Sequence, residues 1–452
     1  MYPIHLGIIG AGTVGGGLLQ ALARNGSLMA SRLGVEFIVT RVAVRNSNKA
    51  RLGSVPVDRI TTDWREVVND PDVQVVVELI GGTTTAREIV LTALRLGKPV
   101  ITANKALLSA HGPELFAAAA KHGTNLYYEA SVAGGIPIIK ILRESFAGNR
   151  ILSIHGIVNG TCNYILTRMK LEGAVFADVL ADAQRMGYAE AEPSLDIDGH
   201  DAAHKTGILA SLAHGRWVRP EQIHTEGIRH LSKLDIEFAS QLGYTIKLLG
   251  VVKLLNSTKK ARPAELKGRV QSARPQVAVQ VSVYPALVPN SHVLASVNFA
   301  FNAISVRGDV VGETLFYGRG AGQDPTASSV LSDLADAALD LKHGSTQRVP
   351  PFVPHATQCS VVPLAEVISR YYLRLSVADR PGVLAKIASV LGKARIGISS
   401  VIQPEGHEGE VVPLILMIHD ATNAAMQTAL ARIARLSVVK APPVMIRVEA
   451  FS

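Results

Sequence analysis

The chain contains only two cysteines, Cys162 and Cys359, and no CxxC pair. That excludes a disulfide framework and fits a reducing, cytoplasmic setting. No apolar run reaches the length needed to span a bilayer, and the first residues enter a strand pattern without a basic, cleavable leader. No membrane association is therefore expected. No Lys/Arg run is interleaved with aromatics, which argues against nucleic acid as a partner. The formal charge of +9 is moderate over 452 residues and suits a surface that attracts anionic cofactors and substrates. With 48% hydrophobic and 18% charged residues, the chain can bury substantial cores, and its length predicts two or three of them.

What is present begins with IHLGIIGAGTVGGGLLQALARNG. A buried strand, Ile4 to Ile9, runs into Gly10-Ala11-Gly12-Thr13-Val14-Gly15, and a helical pattern follows to Asn25-Gly26. This is a GxGxxG turn between the strand and the helix that it needs. Gly10 permits the tight turn, Gly12 lets the backbone approach a pyrophosphate, and Gly15 lets helix and strand pack closely. The helix N-terminus attracts the phosphate charge. The second strand, Val35 to Val44, ends in Arg45, where an NAD-selective site would place an acid. Arg45 suits a 2′-phosphate, which favours NADP(H) and leaves NAD(H) as the alternative; a solvent-exposed strand end would explain the same residue.

The strand Val73 to Ile80 ends in Gly81-Gly82 and Thr83, and the helix Ala86 to Leu96 stops at Gly97. The strand PVITA then leads through Ala103 into Asn104-Lys105. Strands alternating with helices predict a Rossmann-type parallel sheet over residues 1–130. Ligands of such sheets bind at the carboxyl ends of strands, so Gly82, Thr83, Ala103 and Lys105 join the candidate cofactor contacts.

Farther along, LYYEASVAGGIPIIKIL places Glu129 before a small-residue turn whose carbonyls suit a hard cation, although a plain β-turn explains the same letters. The strand Ile151 to Val158 enters Asn159-Gly160-Thr161-Cys162-Asn163 at a helix start. That position can activate a thiol; a small packed residue is the simpler account. Next, GYAEAEPSLDIDGHDAAHKTGILA sets Glu190, Glu192, Asp196, Asp198 and Asp201 ahead of Lys205. Asp201 and Lys205 are four apart and share a helix face. His200 and His204 have the spacing of a zinc helix, but no third ligand and no intervening glutamate accompany them. Because the helix continues as TGILASLA, which reads as buried, Lys205 is expected to face carboxylates with a tunable proton affinity.

Several of these segments, taken in order, resemble homoserine dehydrogenase: GAGTVG (10–15), TANK (102–105), EASVAGGIP (129–137), NGTCNYIL (159–166), GYAE (187–190), LDIDGHDAAHK (195–205) and YGRGAG (317–322). The resemblance runs over essentially the whole length. It implies NAD(P)H-dependent reduction of L-aspartate 4-semialdehyde to L-homoserine, in the biosynthesis of threonine, methionine and isoleucine. It implies Lys205 as general acid/base, with Lys105 assisting at the carbonyl beside the nicotinamide. Glu190 and Asp201 would bind the substrate ammonium group, and Gly187 and Gly320 would supply backbone contacts. Glu129, with the carbonyls of Val132, Gly134 and Ile136, would hold a monovalent cation, Na+.

An α+β catalytic and dimerisation domain is expected over 131–340, with its last helices packing back on the nucleotide-binding sheet. The stretch LKHGSTQRVPPFVPHATQCS marks a linker, placed at 341–365. Residues 366–452 read as βαββαβ, with helices Ala385 to Ala394 and Asn423 to Leu436 and with Asp379-Arg380-Pro381-Gly382-Val383-Leu384 at the first turn. This tail resembles an ACT domain, which implies L-threonine as an effector and a homodimer or homotetramer; a purely structural tail is the alternative. Two other functions compete: an aspartate-semialdehyde dehydrogenase-like enzyme using Cys162, and a non-catalytic sensor of nucleotide and amino acid. No kinase-like segment precedes the dehydrogenase pattern, so a fused aspartokinase is not expected.

Overall fold

In this computed structural model, residues 1–46, 53, 55–255, 277–355, 359–404 and 410–451 are described. The apolar runs of the first 130 residues become β1 (Tyr2–Ile9), β2 (Val35–Ala43), β3 (Ile60–Thr61), β4 (Val75–Glu78), β5 (Val100–Thr102) and β6 (Leu126–Tyr127). Between them lie α1 (Thr13–Leu33), α2 (Trp64–Val68), α3 (Thr84–Arg95) and α4 (Lys105–Lys121). The strands form one parallel sheet in the order β3-β2-β1-β4-β5-β6. Both faces are covered, so the central strands are continuous apolar runs rather than alternating ones.

The first helix is longer than its sequence pattern suggests. It passes through Gly26 and ends at Leu33, where Gly34 takes a left-handed φ of 65° and its N–H donates to the Ala30 carbonyl. A mid-helix glycine costs about 1 kcal/mol relative to alanine. Burial of Leu18, Leu19, Ala21 and Ala30 on the same helix outweighs that cost.

The chain continues through α5 (Ile138–Lys140), β7 (Ile151–Ile157), α6 (Gly160–Glu172), α7 (Phe176–Arg185), α8 (Ser194–Ile197) and α9 (His200–His214). Then come β8 (His224–Thr225), α10 (Lys233–Gln241), β9 (Tyr244–Leu255), β10 (Val277–Pro289), β11 (Phe301–Gly308), β12 (Gly312–Arg319) and α11 (Gln323–His343). The last elements are β13 (Cys359–Val361), β14 (Ile368–Ala378), α12 (Val383–Lys393), β15 (Ile398–Ile402), β16 (Val411–Thr422), α13 (Asn423–Ile433) and β17 (Val444–Val448). No helix among the described residues is long and apolar enough to cross a membrane.

Contacts divide the chain into two compact units. The first comprises residues 1–158, 204–223 and 302–359. Here α11 returns to the nucleotide-binding sheet: Val330, Leu334, Ala337 and Ala338 join Ile4, Leu6, Ile8 and Leu18 in one core. β11 pairs antiparallel with β7, Ala303 opposite Ile157.

The second unit comprises residues 159–203, 224–301 and 360–452. Its sheet runs β9-β10-β17-β14-β16-β15. The tail is a βαββαβ arrangement with its own core of Tyr371, Leu373, Leu375, Ile387, Leu391, Leu414, Leu416 and Met426. It is nevertheless stitched to the rest of this unit. β17 pairs parallel with β10 through Ala286↔Arg447 and Leu287↔Val448. The Arg447 guanidinium donates to both oxygens of Glu226, at 2.8 and 3.0 Å, and Arg374 does the same to Asp235 at 2.7 and 3.0 Å. Burial alone would raise the Glu226 carboxyl, but hydrogen bonds from His224 and Arg447 hold it at about 2.

The expected linker is only partly irregular: residues 341–343 finish α11, 359–361 form β13, and 356–358 lie outside the described residues. Of the expected strand ISSVIQPE, Ile398–Ile402 is β15, and Glu405 lies outside the described residues.

Candidate active site

At the carboxyl edge of the parallel sheet, the Gly10 N–H donates to the Ala43 carbonyl at 2.9 Å and Gly10 takes φ 102°, a conformation open to glycine. A Cβ on Gly15 would lie 2.0 Å from the Gly10 carbonyl oxygen, so helix and turn touch there. A Cβ on Gly12 would meet nothing within 4 Å. Gly12 is the N-cap of the 21-residue α1, without a side-chain cap and without an acid in the first turn. The first N–H groups of α1, from Thr13 and Val14 onward, are thus left for an anion, and Gly10 to Gly15 fit a pyrophosphate.

Three residues not anticipated from the sequence shape the next two loops. Glu78, buried at the end of β4, accepts from the N–H of Ile80 at 2.9 Å and of Gly81 at 3.3 Å, and from the Thr102 hydroxyl at 2.6 Å. Burial raises its carboxyl despite these donors. The Asn104 side chain caps α4 by accepting from the Leu107 N–H at 3.0 Å, and it donates to the Gly82 carbonyl at 2.7 Å. The loop ends carrying Gly82, Thr83, Ala103 and Lys105 are thereby held side by side, with Lys105 half-buried as the first residue of α4. An acid inside the run Val-Val-Val-Glu-Leu-Ile was the available signal, because a buried carboxylate needs partners. Arg45 stands exposed just beyond β2.

Within the same unit Glu129 is 1% exposed, and its oxygens accept from the N–H groups of Ile139 at 2.9 Å and Lys140 at 2.8 Å. Burial pushes its carboxyl up to about 7 against those two donors. The turn that follows holds Ala133 at φ 55°, in a region non-glycine residues seldom adopt. The Gly134 carbonyl accepts from the Ser329 hydroxyl, and the Gly135 N–H donates to the Arg319 carbonyl at 3.0 Å. A Cβ on Gly134 would lie 2.5 Å from the Gly320 carbonyl, and one on Gly320 would lie 1.9 Å from the Asn302 side chain. The turn carrying Val132, Gly134 and Ile136 is therefore packed against the loop carrying Gly320. A buried carboxylate and the carbonyls of the turn that follows it are oxygen donors of the kind a hard cation takes.

In the second unit, Asn159 is the organising side chain. It caps α6 by accepting from the Cys162 N–H at 2.8 Å, and its Nδ2 donates to Asp196 at 2.7 Å and to Asp201 at 3.0 Å. Cys162 is 0% exposed, and its Sγ donates to the Asp196 carbonyl at 3.2 Å, so it is a packed donor rather than an accessible nucleophile. Glu192 accepts from the Ser194 N–H at 3.2 Å and Asp198 pairs with Arg229, which makes both of them loop supports. Glu190 and Gly187 are exposed on the loop between α7 and α8.

α9 carries Asp201, 9% exposed, and one turn later Lys205, 8% exposed, whose Nζ donates to the Val158 carbonyl at 2.7 Å. The burial expected of this lysine from TGILASLA is present. His200 is exposed and His204 half-buried. Among the described residues, no group of three or more His, Cys, Asp or Glu is placed to hold a metal ion.

Comparison with known proteins identifies the family. The family model described as homoserine dehydrogenase, NAD binding domain, matches residues 10–129, and the model described as homoserine dehydrogenase matches residues 137–335. The homoserine dehydrogenase of Pseudomonas aeruginosa is 43% identical over 454 residues, covering 99% of each chain. A crystal structure of a homoserine dehydrogenase from Thiobacillus denitrificans is similar with a TM-score of 0.89 and 44% identity, covering 99% of both chains. A hyperthermophilic archaeal homoserine dehydrogenase in complex with NADPH matches 75% of this chain and 98% of its own, with a TM-score of 0.60 and 26% identity. With a nucleotide-binding domain at its start and this likeness over its full length, the chain belongs to the homoserine dehydrogenase family of oxidoreductases.

Proposed function

We propose that the chain reduces L-aspartate 4-semialdehyde to L-homoserine with NADPH and that Lys205 is its general acid/base. The observation that carries this is Lys205 itself, a buried lysine one helical turn after the buried Asp201. Burial strengthens the field an ammonium exerts on charge developing nearby. A bound nicotinamide supplies a hydride to the aldehyde carbon. Lys205 gives a proton to the carbonyl oxygen as it becomes an alkoxide, and its positive charge stabilises that oxygen beforehand. In the reverse direction Lys205 takes the hydroxyl proton. Lys105 assists at the same carbonyl, next to the cofactor.

Asp201 and Glu190 bind the substrate ammonium group, with a backbone contact at Gly187 and another at Gly320. Asn159 supports this role by holding the Asp201 carboxylate in one orientation. Arg45 takes the 2′-phosphate of NADP(H) in preference to NAD(H). Glu129 and the carbonyls of Val132, Gly134 and Ile136 hold Na+; the burial that lifts the Glu129 carboxyl would be offset by a cation beside it. The βαββαβ tail acts as an ACT domain responding to L-threonine, in a cytoplasmic homodimer or homotetramer. The buried Cys162 speaks against a thiohemiacetal mechanism.

The test is homoserine-dependent reduction of NADP+ and of NAD+ by the purified chain, with and without millimolar L-threonine. Faster reduction of NADP+ and a lower rate with threonine are expected. Equal rates with the two cofactors would remove the role given to Arg45, and a rate indifferent to threonine would leave the tail structural.

A further inference from the structure

Lys247 on β9 is a buried cation that the proposed chemistry does not use. It is 1% exposed, and its Nζ donates to the Asn163 Oδ1 at 3.0 Å, to the Val297 carbonyl, and to the Asn298 Oδ1 at 3.4 Å. Asn163 belongs to the first turn of α6. Its Nδ2 faces the carbonyls of Val297 at 3.1 Å, Phe299 at 2.9 Å and Phe301 at 3.2 Å. The Phe299 N–H donates to the Thr167 hydroxyl at 3.0 Å, one turn further along the same helix. Phe299 itself is held at φ 57°, a conformation a bulky residue keeps only when its surroundings impose it. Lys247 and Asn163 thus fasten a strained loop to the start of α6. The N-cap of that helix is Asn159, which orients Asp196 and Asp201.

We infer that Lys247 is a positioning residue for the substrate: through Asn163 it fixes the first turn of α6, and so the direction in which Asn159 holds Asp201. Its three acceptors match the three protons of an ammonium group, so the lysine is satisfied as a cation. Burial, with repulsion from Lys170 in α6, lowers its proton affinity to about 7, which makes those acceptors the condition for keeping it charged. A methyl group in its place takes the ammonium donor from the buried Asn163 Oδ1 and leaves the Val297 carbonyl with the Asn163 amide alone of the two donors described.

This rests on the reading of Asp201 as a substrate ligand, and the experiment separates the two. KM for L-homoserine, KM for NADP+ and kcat are measured for Lys247→Met, Asn159→Ala, the double variant and Asp201→Asn, below the melting temperature of each. Lys247→Met is expected to raise KM for homoserine about tenfold or more, with KM for NADP+ and kcat changed far less. In the Asn159→Ala background the same substitution is expected to add little, because both act through one route. If Asp201→Asn raises KM for homoserine while Lys247→Met only lowers the melting temperature, Lys247 is structural and the inference fails. The inference fails equally if the Lys247→Met and Asn159→Ala effects add in full. If Asp201→Asn leaves KM for homoserine unchanged, the substrate-ligand reading fails first. Should Lys247→Met not fold, Lys247→Gln, which retains an N–H donor at shorter reach, carries the same comparison.

Discussion

Lys205→Met is expected to lower homoserine oxidation about 10³- to 10⁵-fold while NADPH binds with unchanged affinity. Methionine keeps the length and apolar stem of the lysine but has no proton to give or take. General acid/base catalysis is worth about 10²- to 10⁴-fold, and a fixed charge at the developing oxyanion about 10²- to 10³-fold. The proposed mechanism gives both to Lys205, so the losses overlap instead of multiplying in full. The Val158 carbonyl also loses its ammonium donor. That costs about 1–3 kcal/mol of stability, enough to lower the melting temperature and too little to unfold the chain. The check is kcat for homoserine alongside a fluorescence titration with NADPH. Turnover within tenfold of the parent would remove Lys205 from the chemistry.

Gly15→Ala is expected to weaken NADPH binding at least about 100-fold and to destabilise the first unit. The new Cβ would lie 2.0 Å from the Gly10 carbonyl oxygen and 2.9 Å from its carbon, both backbone atoms. Overpacking against side chains costs about 1–3 kcal/mol, and backbone cannot yield as a side chain does. Gly10, held at φ 102°, must therefore shift, and its turn is the one proposed to take the pyrophosphate. Gly12→Ala makes the contrast, since its Cβ would meet no protein atom within 4 Å. It should leave the melting temperature in place and weaken NADPH binding alone, by occupying the space a phosphate needs. Calorimetric melting and NADPH titration of the two variants distinguish them. Equal behaviour of the pair would mean that the fingerprint does not work by close approach.

What the sequence made legible is what depends on neighbours a few residues away. The GAGTVG turn lies between its strand and helix, so its glycine roles are local and could be named. The burial of Lys205 followed from the apolar letters after it in the same helix. The end of α1 was misjudged because Gly26 and Gly34 look alike in one dimension; only packing decides which glycine is carried through and which turns left-handed. Partners distant in the chain were not legible at all. Asn159 meets Asp196 and Asp201 across 37 and 42 residues, and Lys247 meets Asn163 across 84. Glu78 and Asn104 show no periodicity that would announce them, yet they fix the loops around Gly82 and Lys105. The burial of the candidate lysine was thus readable, and the amides that hold the candidate acids were not.

The most direct test of an amino-acid pocket closed by a proton-transferring lysine compares L-homoserine with 4-hydroxybutanoate. The analogue keeps the alcohol and the carboxylate and lacks only the ammonium group. With Asp201 buried and oriented by Asn159 as the proposed ammonium ligand, loss of the ammonium contact should make the analogue a poor substrate. The predicted result is a kcat/KM for 4-hydroxybutanoate at least about 100-fold below that for L-homoserine, with the gap narrowed in Asp201→Asn. Equal kcat/KM for the two alcohols would contradict the pocket.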